Sequence, residues 1–289
     1  MVDPKPTQST LMPELYANVT SAEWFSIAAD ELSAVEATFP SGSTEDQQFL
    51  DLGCGTGNIT RDVLLAQCPP CQRFVAVDSS DSMLEYARKH FAHPKICYDT
   101  LDILADDDVS DFAKRYGQFD RVYSILCFNW IKDQEKAFKN ASKLMKPGAE
   151  GLFWFNARTP QMRFRRKLAG MQRWNKYAKI FEESLPPTVD LVEDEAIVSY
   201  MLGLLKSAHL TVSICECPRR SANFLSSPFR STGDLMATNP IRALLTEEEE
   251  QLLLEDATTE GTRLWAAKDA GGSLMAFDIC VVRASKPGP

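Results

Sequence analysis

The sequence predicts an α/β protein, with a doubly wound, mostly parallel sheet of seven strands and a helical cap. Three observations predict it. Five strand-like apolar runs alternate with helical patterns between residues 46 and 156, the signature of repeated strand–helix–strand units. The first run ends in a three-glycine turn that opens a helix, Phe49-Leu50-Asp51-Leu52-Gly53-Cys54-Gly55-Thr56-Gly57-Asn58. Aspartates stand at the ends of successive strands: Asp51, Asp78 and, just past the third, Asp102. In such sheets ligands bind outside the carboxyl ends of the strands, so these three side chains belong to one site.

The elements follow in order. Residues 1–13 are polar and proline-bearing, and 13–39 carry a helical pattern with Leu15, Trp24, Phe25, Ile27, Leu32 and Val35 as apolar positions. The first strand and glycine turn lead into a helix beginning at Ile59. Strands at 73–78, 95–98, 119–126 and 151–156 follow. Between them lie helices capped by Ser79 or Ser80, started by Asp106-Asp107-Asp108, and running from Gln134 to Met145 before Pro147-Gly148 stops the last. Past Pro160 the pattern changes. Residues 161–185 are basic, aromatic and helical, and Pro186-Pro187 breaks them. A helix at 194–206 and a strand at 210–215 come next, then a helical stretch over 228–268 in which Thr246 and Glu249 form a capping box. An apolar strand over 273–283 closes the pattern. The expected organisation is one domain: an arm (1–45), a ligand-binding core (46–156), cap insertions (157–192 and 218–270) and segments completing the sheet (193–217 and 271–289).

Bulk composition narrows the function. The chain has 289 residues, 44% hydrophobic and 25% charged, an ordinary globular balance. Its 31 basic against 40 acidic residues give a net charge of −9. That is a poor basis for binding nucleic acid or an anionic membrane. No apolar run is long enough to span a membrane, and the first residues lack the apolar core of a signal peptide. The expectation is a soluble cytoplasmic protein, monomeric or a homodimer. Among the eight cysteines, Cys97, Cys127 and Cys280 sit in apolar runs and are expected to be buried and reduced. Cys68/Cys71 and Cys215/Cys217 are too sparse for a zinc site, so no metal is expected.

The glycine turn lets backbone approach a ligand closely and aims helix N–H groups at it. A dinucleotide fingerprint needs G-x-G-x-x-G, but Asn58 stands where its third glycine belongs. Asp51 beside the turn suits a ligand with an amino group better than a diphosphate. Asp78, about 20 residues past the turn, is placed to accept both ribose hydroxyls. Asp102 and Ile103 are placed for an adenine, with Met83 over its other face. S-adenosyl-L-methionine has these groups and no phosphate. The predicted cofactor set is Asp51, Gly53, Gly55, Gly57, Asn58, Asp78, Ser79, Met83, Asp102, Ile103 and Cys127. A nicotinamide cofactor is the alternative.

The motifs Leu52-Gly53-Cys54-Gly55-Thr56-Gly57, Val77-Asp78, Leu101-Asp102-Ile103 and Phe119-Asp120 resemble those of class I S-adenosylmethionine-dependent methyltransferases, which implies a Rossmann-like sheet. The run from Val75 to Ala87, the run from Phe128 to Phe138, Leu15-Tyr16 and Asn239-Pro240 are similar to arthropod juvenile hormone acid O-methyltransferases. That resemblance implies a farnesoic or juvenile hormone acid acceptor and a methyl ester product. Two positions depart from the family. Glu23 stands where it carries a glutamine for the substrate carboxylate, and Asn129 stands where it carries a histidine, while Trp130 is kept. Glu23, Trp24, Asn129 and Trp130 are the candidate substrate-binding residues. A Glu facing a carboxylate repels it unless protonated, so an amine acceptor stays open. So does a regulatory protein that binds the cofactor without catalysis. No histidine is assigned as a base: a carboxylate acceptor is already ionised near neutral pH. The Arg163/Arg165/Arg166/Lys167 cluster reads as a solvated face, with attraction of an acidic substrate as its alternative.

Overall fold

The computed structural model describes residues 11–19, 27, 29–30, 32–33, 44–221, 228–269 and 276–288. A short helix α1 (Pro13–Val19) comes first. The parallel half of the sheet is β1 (Gln48–Leu52), β2 (Arg73–Asp78), β3 (Ile96–Thr100), β4 (Phe119–Ile125) and β5 (Met145–Arg158). Its connecting helices are α2, π-helical over Thr60–Leu64 and α-helical over Leu65–Gln67, then α3 (Asp81–His90), α4 (Asp106–Tyr116) and α5 (Gln134–Leu144). Next come α6 (Pro160–Ala169), α7 (Ala178–Glu183), α8 (Asp194–Ser207), β6 (Thr211–Glu216) and β7 (Arg219–Ser221). The chain continues through α9 (Pro228–Ala237), α10 (Glu247–Asp269) and β8 (Ala276–Ser285).

Seven strands run in the order β3-β2-β1-β4-β5-β8-β6, and β7 adds a three-residue pairing on β8. The first five are mutually parallel; β8 is antiparallel to both β5 and β6. Chain direction across the sheet reverses outward from β1 and β4, which opens the crevice where ligands sit in such folds.

Helices cover both faces, so the central strands are apolar on both sides. Phe49, Phe74, Tyr123 and Trp154 pack on one face. Leu50, Val75, Val122, Phe153 and Phe155 pack on the other. This strict alternation makes Asp51 share the face of Phe49. Turn chemistry sets the helix starts. Ser80 accepts from the Met83 amide, Asp133 from Lys136, and Thr159 from Met162 with Pro160 in the first turn. The Thr246–Glu249 capping box forms in both directions, at 3.3 and 3.2 Å.

Three expectations change. β5 begins at Met145 rather than Gly151. Pro147-Gly148 falls inside an irregular stretch of that strand, where the Gly148 amide donates to the Lys286 carbonyl and Gly148 takes φ 79°. The stretch 161–185 is not one helix, because it is interrupted at Gly170 and tightens to a 3-10 turn over Gln172–Tyr177. Of the cysteines expected to be buried and reduced, Cys97 is exposed on the edge strand β3, and Cys280 forms a disulfide with Cys217 because β8 carries it beside the end of β6. Among the described residues no helix is long and apolar enough to cross a membrane.

Candidate active site

The glycine turn folds as it does because of what crowds it. Gly53 takes φ +80°, and a Cβ there would stand 2.2 Å from the Cys127 sulfur. Its amide and that of Cys54 both donate to the Val77 carbonyl at 2.8 Å, tying the turn to the end of β2. At Gly55 a Cβ would meet only the Tyr16 ring, at 3.8 Å, so this glycine leaves its backbone open to the crevice. Gly57 differs: its Cβ would collide with the Tyr98 hydroxyl at 2.6 Å. Gly57 is therefore needed for packing and does not reach the cavity described below. Asn58 Oδ1 accepts from the Ile59 amide and the Thr56 hydroxyl, shaping the start of α2.

The carboxylates at the strand ends are held by backbone amides or, for Asp51, by a neighbouring hydroxyl. Asp78 accepts from Gly55 N at 2.9 Å and from Ser80 N at 2.9 Å. Burial nonetheless pushes its pKa up, against those bonds. Asp51 is 2% exposed and accepts from the Thr60 hydroxyl at 2.6 Å. Burial, helped by the Asp78 charge, raises it to about 7, with the Thr60 bond pulling the other way. Asp102 accepts from Leu104 N at 2.9 Å. These carboxyls need a cationic or hydroxyl-rich ligand.

β4 ends in a strained residue. Leu126 takes φ 57°, and its amide donates to the Trp154 carbonyl at 2.7 Å. Phe128 then plunges into the core against Phe138, Phe153 and Phe155, with ring centroids 4.4, 5.2 and 5.7 Å away. That anchor, with Gln134 Nε2 donating to the Phe128 carbonyl at 2.9 Å, sets the direction of Trp130. Asn129 is buried. With its amide oriented to suit its neighbours, its nitrogen donates to the Leu126 carbonyl and its oxygen accepts from the Trp130 indole, both at 2.9 Å. Asn129 thus braces Trp130 from behind and does not line the cavity, which corrects its assignment as a substrate contact.

A cavity of about 310 Å³ opens over the strand ends. One end is lined by Gly53, Gly55, Asp78, Ser79, Met83, Asp102, Ile103 and Cys127. The other is lined by Trp130, Ile131, Ile180, Ser184, Pro240 and, from the amino-terminal segment, Leu11 and Tyr16. Asp51 and Asn58 line an adjoining recess of about 20 Å³ that shares Tyr16, Gly53, Gly55 and Leu126 with the larger space. Tyr16 therefore sits where the two meet. Burial, the largest effect on its hydroxyl, raises its pKa to about 12, with the nearby Trp130 indole pulling the other way. Burial likewise pushes the Cys54 and Cys127 thiols well up, so neither is a thiolate nucleophile. No histidine lines the cavity.

Residues 50–150 match the family described as "Methyltransferase domain". Over those residues the chain is similar to a methyltransferase domain, and its fold is that of S-adenosylmethionine-dependent methyltransferases. The juvenile hormone acid O-methyltransferase of Bombyx mori is 30% identical over 166 residues, covering 57% of this chain and 58% of that protein. The Drosophila melanogaster enzyme of the same name is 27% identical over 158 residues, covering 54% and 52%. The chain thus spans a little over half the length of these relatives. Among solved structures, Haemonchus contortus phosphoethanolamine N-methyltransferase 2, in complex with S-adenosyl-L-methionine, shares the fold. It does so with a TM-score of 0.53 at 15% identity, covering 95% of this chain and 56% of that one.

The site chemistry fits that cofactor. Asp51, Asp78 and Asp102 gather around the glycine turn, which suits a sulfonium with an amino group better than a diphosphate. Of the sequence-derived cofactor set, all but Gly57 line the cavity or its recess. Of the substrate set, Trp130 does; Glu23 and Trp24 lie outside the described residues. Phe119-Asp120 lies away from the site, and Asp120 pairs with Lys146 at 2.8 Å. Missed were Leu11, Ile180 and Ser184, which carry no motif. Tyr16 and Pro240 were legible only through the family resemblance.

Proposed function

We propose that the protein methylates the carboxylate of a small lipophilic acid of the farnesoic or juvenile hormone acid type, giving a methyl ester. The observation that carries this is one cavity joining a carboxylate-lined end to an end where Leu11, Ile131, Ile180 and Pro240 supply apolar surface, with no histidine in its lining. The cofactor S-adenosylmethionine supplies an electrophilic methyl on a sulfonium. When it is bound, Asp78 would hold its ribose hydroxyls, Asp51 its amino group, and Asp102, Ile103 and Met83 its adenine. The acceptor carboxylate is ionised at neutral pH and attacks in line without proton removal. Trp130 and Tyr16 orient it, and the apolar wall keeps water out, so the chain contributes proximity and a dry site. The relatives named for juvenile hormone acid support this acceptor class.

Two further carboxylates line the cavity, but neither argues for an amine acceptor. Asp133 caps α5, and Glu183 pairs with Lys132 at 3.1 Å. The test is turnover of purified protein with methyl-labelled cofactor and farnesoic acid, with the ester identified by mass. Transfer to amines and not to acids would replace the acceptor. Tight cofactor binding with no transfer to any acid or amine would leave a regulatory binding protein.

A further inference from the structure

The basic cluster on α6 divides in three dimensions. Arg166 pairs with Glu182 and Asp190, and Lys167 with Glu260. Arg165 turns inward and is 3% exposed. Its guanidinium lies over the Trp130 ring, 4.3 Å from the centroid. One terminal nitrogen donates to the Ser184 carbonyl and hydroxyl at 2.9 and 3.2 Å. Its Nε is buried with no hydrogen-bond partner. Among the described residues no carboxylate pairs with it. The contrast is Arg158, equally enclosed, which pairs with Asp278 and Asp194. A buried charge without a counter-charge is costly and is normally matched by something. Burial lowers the Arg165 pKa to about 9, so it remains a cation at neutral pH.

The side chains it leans on, Trp130 and Ser184, both line the acceptor end of the cavity. We propose that Arg165 is the counter-charge for the acceptor's carboxylate, acting through the Trp130–Ser184 wall to make the site prefer an anion. This rests on the carboxylic acid reading and names the residue that sets it. A guanidinium suits the position because its plane stacks on an indole while it still donates in its own plane, which an ammonium cannot do. One layer back and out of water, its field still reaches the bound group. Arg165 is thus a specificity-determining residue that does not touch the reacting atoms.

The test compares farnesoic acid with its primary amide, binding to protein saturated with S-adenosylhomocysteine, by calorimetry. In the unaltered protein the acid binds about tenfold tighter or more than the amide; equal affinities overturn the proposal. Arg165→Met removes the charge and keeps an apolar stem. It abolishes the preference, leaves amide and S-adenosylhomocysteine affinities unchanged, and does not lower the melting temperature of the unliganded protein. Arg165→Lys keeps part of the preference. If Arg165→Met retains the preference, or weakens acid and amide alike, the residue is only structural. If Arg165→Met does not fold, the proposal is likewise overturned, because removing an unmatched charge should not cost the fold. Binding of neither probe by the unaltered protein overturns the acid reading and this one with it. Methylation of the acid with the preference intact in Arg165→Met overturns this one alone.

Discussion

At the cofactor end of the cavity, Asp51, Asp78 and Asp102 stand on or just beyond consecutive parallel strands, gripped by backbone amides or a neighbouring hydroxyl. At the acceptor end, Leu11, Tyr16, Trp130, Ile180 and Pro240 come from segments far apart in the chain and meet only through packing. The first end is held by hydrogen bonds of fixed geometry, the second by apolar shape and one buried cation. A backbone-held site tolerates little change, whereas a packed wall can be re-cut for another acceptor while the sheet stays as it is.

The two ends should be separable, and the sharpest break is at the glycine turn. Gly53→Ala forces a Cβ into Cys127 and a left-handed backbone, which should cost about 3 kcal/mol of stability. It should also weaken S-adenosylhomocysteine binding about 100-fold or more; melting curves and calorimetry read both. Asp78→Ala should weaken the same ligand about 100-fold by removing a charged acceptor, with farnesoic acid affinity little changed. Trp130→Ala should do the reverse, raising the acceptor KM about 30-fold while the cofactor constant moves less than about threefold. An equal loss of both would show that the two ends are one unit.

A subtler effect is that of pH on Asp51. Its folded pKa of about 7 lies above the unfolded value, so the folded state prefers the protonated carboxyl. That contribution is fully present below about pH 4 and is lost progressively as pH rises through 7, on the order of 4 kcal/mol in all. The unliganded protein should therefore melt lower at pH 8 than at pH 6. Cofactor affinity should rise about threefold to tenfold over the same window, because an amino group beside Asp51 favours its ionised form. Asp51→Asn should flatten both profiles. The smallest expected effect is at the cavity mouth. Lys132→Ala breaks a pair whose partners are 49% and 48% exposed, and should change stability by about 0.5 kcal/mol or less.

The sheet and the cofactor end were legible because each signal is local. A strand run, three glycines and an aspartate at a strand end carry their meaning within ten residues of chain. The acceptor end was not. Four cations within Arg163–Lys167 do not say which one turns inward; that depends on α7 supplying Ser184 and on Phe128 aiming Trp130. Asn129 stands beside Trp130, which lines the cavity, and only the hydrogen bonds reveal Asn129 as a brace. The pairing of Cys217 with Cys280, 63 residues apart, follows from strand order, which spacing alone does not encode.

The placement of β8 has a consequence in time. Among the described residues β6 has no strand neighbour other than β8, and β8 follows it in the chain by some sixty residues. During synthesis the five parallel strands can pair as they emerge, since each finds its partner already made or made next. β6 must wait, with α9 and α10 produced in the interval. The far edge of the sheet is therefore closed late, against a glycine turn and parallel strands that have already taken shape, and its long-range contacts carry the larger loop-closure cost.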